Sequence, residues 1–208
     1  MAEEYSDEEL VEAIKKWLRT NGIGVAAGLV IGLGAVLGWR FWNDYQQAQA
    51  EQASAHFDQL LEAVQAKELD KADGHLQTLV ADYSDSGYAV LASFALAKIA
   101  VENDDHGTAI KHLQWILENK EDPGIADVAR VRLARVFLAE KQFDDAENQL
   151  NRVLNASFGA EVDELRGDLY VAQGDPNKAR NAYESARSKL GPTRTGALLQ
   201  MKLDDLNS

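Results

Sequence analysis

Residues 165–186 read LRGDLYVAQGDPNKARNAYESA. Gly174-Asp175-Pro176 is strong turn material, so the stretch divides into two helices, predicted over 160–173 and 176–189. Gly167 in the first and Ala179 in the second are both small and lie twelve residues apart. Two helices that cross closely need small side chains at the crossing, or their backbones cannot approach. The same arrangement recurs upstream. Ala72, Ala109, Ala146 and Ala179 are spaced 37, 37 and 33 residues apart, and twelve residues before each lies Leu60, Ala97, Ala134 or Gly167. The first of these is the poorest match, because Leu60 stands where a small residue belongs.

Helices are therefore predicted in pairs, over 47–66 and 70–82, 87–102 and 106–119, 124–140 and 143–155, then 160–173 and 176–189, with a last helix over 193–206. Breaks fall at turn-forming residues such as Asn103–Asp105, Asp122–Gly124 and Gly191-Pro192. Nothing past Tyr45 reads as a strand, since valine and isoleucine recur at helical spacing. The period resembles the tetratricopeptide repeat, whose units stack into a solenoid. Leu165-Arg166-Gly167-Asp168-Leu169-Tyr170 echoes that repeat's L-G-x-x-Y run. Ala97, Ala109, Ala134, Ala146, Gly167 and Ala179 are the residues that define the register.

The N-terminal part differs. From Thr20 to Trp39 no residue is charged, and twenty helical residues span roughly 30 Å, the thickness of a bilayer's hydrocarbon core. No polar stripe marks a soluble core helix. A cleavable signal would have a short basic leader, a shorter apolar stretch and a nearby small-x-small site. Here the leader opens acidic, and Ala48-Gln49-Ala50 lies well beyond the apolar stretch. An uncleaved anchor is expected, dividing the chain into a tail (1–21), a transmembrane helix (22–42) and a soluble domain (43–208). Lys15, Lys16 and Arg19 precede the span, whereas Arg40 stands alone after it until Lys67, which puts the tail in the cytoplasm and the domain outside it. Ser6-Asp7-Glu8-Glu9 fits a capping box, opening a short amphipathic helix through Leu10, Val11, Ile14, Trp17 and Leu18. The fold class expected is all-α, a single transmembrane helix followed by a solenoid of helical hairpins.

Residues 46–208 carry 17 basic and 27 acidic side chains, a net charge of −10. That argues against nucleic acid or anionic lipid as a partner. The chain has no cysteine, so disulfides, thiol nucleophiles and zinc–thiolate sites are excluded. His56, His75, His106 and His112 show no i, i+4 pairing and read as surface helix residues. Asp104-Asp105 and Asp144-Asp145 fall at helix starts, where carboxylates suit the helix N-terminus, and they lack the glycine and final glutamate of a calcium loop. No enzyme, cofactor or metal site is expected.

Two binding surfaces remain. In the expected register, Phe57, Leu61, Phe94, Lys98, Val131, Arg135 and Leu138 line the concave face of the solenoid, along with Glu164 and Asp168. That face could receive a segment of another protein, or the chain's own last helix, through Leu198, Leu199, Met201, Leu203 and Leu206. In the span, Gly24, Gly28 and Gly32 recur every four residues, the small-xxx-small spacing of packed membrane helices.

Taken together, these parts resemble the ancillary SecYEG translocon subunit family across essentially the whole chain. The matching stretches are Glu12–Leu18, Leu33–Trp42, Val131–Val136 and Asp163–Asp168. The resemblance implies a single-pass protein of a Gram-negative inner membrane with its domain in the periplasm. Its implied partners are the SecYEG channel, a membrane-anchored periplasmic chaperone of the prolyl-isomerase type, and translocating client proteins. Its implied role is non-enzymatic, passing newly translocated proteins from channel to chaperones, and the tail is implied to touch a cytoplasmic regulator. A tethered stress-response regulator and a scaffold of another envelope complex are the alternatives.

Overall fold

The computed structural model describes residues 7–190 and 194–206, and every regular element among them is helical. The chain forms two compact units that divide after Gln52. Helix α1 runs from Asp7 to Gln65 without interruption. The sequence reading expected a tail helix, a span and a separate helix from 47. They fuse because no proline lies between 7 and 65 to remove a backbone donor. Ser6, the expected cap, lies outside the described residues.

Within the first unit, α1 is the one described helix long and apolar enough to cross a membrane. From Leu10 to Tyr45 its large apolar side chains are uncovered, Ile23 being 89% exposed. The two polar residues at its start turn back on the helix. Thr20 Oγ1 donates to the Lys16 carbonyl at 3.0 Å, and Asn21 Nδ2 to that of Trp17 at 3.1 Å. These bonds satisfy the Thr20 hydroxyl proton and one Asn21 amide proton within the helix itself.

The second unit is a run of hairpins. The end of α1 pairs with α2 (Leu69–Asp82), α3 (Gly87–Glu102) with α4 (His106–Asn119), α5 (Pro123–Ala139) with α6 (Phe143–Asn151), and α7 (Gly159–Ala172) with α8 (Pro176–Leu190); α9 (Arg194–Asp205) follows. Side-chain caps start several of them: Asp105 accepts from Thr108 N at 3.0 Å, and Asp122, ahead of Pro123, from Ile125 N at 2.9 Å.

All four hairpins share one turn. Lys67, Asp104, Lys141 and Gly174 have φ of 60°, 57°, 59° and 77°, and each lies five residues before a register alanine. In each, the amide of the next residue closes back five positions: Glu68 to the Ala63 carbonyl, Asp105 to Ala100 and Gln142 to Phe137 at 2.8 Å, and Asp175 to Tyr170 at 2.9 Å. This is the Schellman closure, which satisfies carbonyls left over at a helix end. It requires a left-handed residue, and only the fourth hairpin uses glycine there.

At the crossings, Ala72, Ala109, Ala146 and Ala179 are buried, as are Leu60, Ala97, Ala134 and Gly167 on the facing helices. The tightest approach is at Gly167, where an added Cβ would lie 2.2 Å from Cε1 of Tyr183, one turn beyond Ala179. Leu60 is accommodated in an apolar cluster with Ala53, Ala72, Leu76 and Leu79. Helix α6 stops at Asn151, short of the expected 155, and a 3₁₀ turn follows at Ala156–Phe158. The amides of Leu154 and Asn155 are taken by the buried Asp127 carboxylate, at 3.1 and 2.9 Å, and not by helix carbonyls.

A non-glycine residue in the left-handed region is strained. Lys141→Gly is therefore expected to stabilise the domain by about 0.5–1 kcal/mol, a gain partly offset by the extra freedom of glycine in the unfolded chain. Chemical denaturation of the full chain in mild detergent measures it, and a loss of stability would contradict this account of the turn.

Candidate functional site

Stacking the second hairpin on the third leaves a cleft of about 420 Å³ between them. Helix α3 supplies Phe94, Ala97, Lys98 and Val101, and α5 supplies Arg132, Arg135, Val136 and Ala139. These positions recur at three- and four-residue intervals, so each helix presents one face to the cleft. Leu113 and His106 of α4 complete it, with Glu102 at its edge. The floor is apolar and the rim is cationic.

The rim cations differ in how they are held. Lys98 Nζ lies 3.4 Å from Glu102, and Arg135 Nη2 lies 2.5 Å from Glu161. Both pairs are exposed and so contribute little to stability. The guanidinium of Arg132 sits 4.5 Å over the centre of the Phe94 ring, a cation–π contact. No carboxylate pairs with it among the described residues. His106 Nδ1 is held by the carboxylate of Glu140.

Of the residues expected on the concave face, Phe94, Lys98 and Arg135 share this cleft. Phe57 stacks on Tyr88 with ring centres 5.7 Å apart, and with Leu61 it borders the apolar cluster of the first hairpin. Leu138 packs against the cluster around Leu113 and Phe137. Val131 is 2% exposed and packs with Ala134, Leu150, Val162 and Leu165, so its side chain presents nothing to a partner. Arg132 was not singled out in the sequence. Its spacing from Arg135 and Lys98 is unremarkable there, and only the stacking of α3 on α5 brings it over Phe94. In the span, a Cβ added to Gly24, Gly28 or Gly32 would meet nothing within 4 Å.

The chain's last helix covers a different place. Leu199 and Leu203 of α9 are buried against Ala179, Tyr183 and Ala186, while Leu198 and Met201 are exposed. Lys202 Nζ reaches Glu164 at 2.8 Å and both oxygens of Asp168 at 2.7 and 2.9 Å. Burial acts to lower the Lys202 pKa, but the bonds to Asp168 and Glu164 outweigh it and hold the ammonium above its ordinary value. Tyr183 is pushed upward by burial and by its hydrogen bond to Asp168. The fourth hairpin's share of the face is thus closed by the chain itself, whereas no α9 residue lines the cleft at Arg132.

Two buried aspartates went unforeseen. Asp127 and Asp163 are each the fifth residue of their helix, α5 and α7, and each has an arginine three residues on, at 2.8 Å (Arg130) and 3.5 Å (Arg166). Asp163 also accepts from Ser185 Oγ and Lys189 Nζ of α8, both at 2.5 Å. Each carboxylate ties its helix to the far end of the same hairpin. The histidines depart from the surface reading, because all four are half-buried. His56 and His75 face each other with their Nδ1 atoms 3.4 Å apart, and burial lowers the pKa of His112. No cluster of three or more potential metal ligands occurs among the described residues.

A run of helical hairpins on a chain with one apolar helix, its inner face closed at one end and open at another, defines a membrane-anchored helical-repeat protein. Residues 15–208 match the tetratricopeptide repeat-like domain family. The chain is also similar to proteins named ancillary SecYEG translocon subunit: 33% identical to that of Haemophilus influenzae over 99% of this chain and 100% of the relative, and 32% identical to that of Escherichia coli over 97% of each. The chain belongs to the ancillary SecYEG translocon subunit family.

Burial acts to raise the Asp163 pKa, but its bonds to Lys189 and Ser185 and the charge of Arg166 bring it below the ordinary carboxylate range. A carboxyl depressed in the folded state stabilises it fully above the unfolded value of about 3.9, and this contribution is lost as pH falls through the lower folded value. Asp163→Asn removes that linkage. The natural chain should therefore lose more stability than the variant as pH falls below about 4, measured by denaturation in detergent, and parallel losses would refute the assignment.

Proposed function

We propose that this protein is a non-enzymatic adaptor at the Sec translocon, anchored in a Gram-negative inner membrane by α1. Similarity to named translocon subunits along the full chain, span included, carries this reading. The charge asymmetry of Lys15, Lys16 and Arg19 against Arg40 supports a cytoplasmic tail and a periplasmic domain. The open cleft at Arg132 offers a surface that receives protein segments without chemistry, which suits a handover from the channel to a periplasmic prolyl-isomerase-type chaperone. Gly24, Gly28 and Gly32 offer a face on which another membrane helix packs closely, the partner proposed being a helix of the channel or of the anchored chaperone.

Photocrosslinkers placed at Lys98 and Arg135 in intact cells should capture channel, chaperone or emerging secretory chains. In the same cells Gly28→Leu should weaken co-purification of the membrane partner in mild detergent. If no secretory component is captured at either position, the adaptor reading is wrong.

A further inference from the structure

We propose that the cleft between the second and third hairpins selects protein segments in which an apolar side chain is flanked by carboxylates, and that Arg132 is the residue that reads the charge. This rests on the adaptor reading and narrows it to a class of partner.

The charge of the cleft opposes that of the domain around it. The soluble part of the chain has a net charge of −10, yet the cleft is lined by three permanent cations, Lys98, Arg132 and Arg135, against the single carboxylate of Glu102. Two of those cations already have acidic neighbours, Glu102 and Glu161. Arg132 has the Phe94 ring beneath it and no carboxylate beside it among the described residues. A cation–π contact uses none of the guanidinium's N–H donors, which form its rim. That rim is the part that binds a carboxylate, and a guanidinium held by a ring loses little freedom when it does so. Beneath it, Ala97, Val101 and Val136 form an apolar floor, where a leucine- or phenylalanine-sized group escapes water. An incoming cation would face Arg132 with no compensating carboxylate. A purely apolar segment would fill the floor and leave the guanidinium unpaired.

The test uses the full chain in detergent micelles and two dye-labelled extended peptides with the same leucine–phenylalanine centre, one flanked by glutamates and the other by lysines. The glutamate peptide should bind about tenfold more tightly than the lysine peptide, as expected for one charge-assisted contact. Added salt should narrow the difference. Arg132→Gln should abolish the preference while leaving the melting temperature unchanged, and Arg132→Lys should restore part of it. Equal binding of both peptides would overturn the charge selection while leaving the adaptor reading standing. Binding unaffected by Arg132→Gln would overturn the assignment to this cleft. Self-association of the chain that Arg132→Gln dissolves would give the cleft to a second copy and overturn the proposal as well.

Discussion

Two helices pack only as closely as the bulkiest group between them allows, and this domain depends on keeping that group small. The register alanines do so in the second and third hairpins, whereas the first carries Leu60 opposite Ala72. In the fourth, Gly167 removes even the methyl, and the space is filled by the ring of Tyr183, whose hydroxyl donates to Asp168 at 2.7 Å. One glycine thereby admits a large side chain and positions its polar end. Tyr183 in turn lies under Lys202 of α9, which is 5.5 Å from the ring centre. The contact that closes the fourth hairpin also seats the helix after it.

Once the crossings fix the layers, charge decides which parts of the inner face stay open. Glu164 and Asp168 share Lys202, so the fourth hairpin holds its own chain. Asp127 and Asp163 face the other way and lock hairpin ends, with Asp127 fully buried. A carboxylate without water is tolerable only where donors surround it, and Leu154 N, Asn155 N and Arg130 provide them. These acids are committed to the interior or to α9. The cations of α3 and α5 lie where no such acids reach all of them.

Much of the fold was legible because close crossings leave a periodic trace. Small residues twelve apart and a period near 37 identify hairpins without any knowledge of their contacts. The shared turn was harder to see. Gly174 advertises a left-handed residue, but Lys67 and Lys141 do not, since ordinary residues take that conformation only when the closure around them compels it. The site was less legible still. Phe94, Lys98 and Arg135 could be placed on helix faces, yet Val131, one turn from Arg135, points into the core. Arg132 gains its place only from the ring beneath it. The buried aspartates were hidden for the same reason, because their partners sit 22 to 28 residues away.

A stack of like units ends in a raw surface, identical to the one each unit offers its neighbour, and nothing in the repeat itself stops another stack from docking there. Here α9 takes that place, with Leu199 and Leu203 facing the fourth hairpin and Gln200 accepting from Arg187 of α8 at 2.7 Å while it donates to the exposed Asp204 at 2.8 Å. The terminal helix therefore works as a stopper against end-to-end growth. Any end-to-end docking of two solenoids at this surface would first have to displace α9.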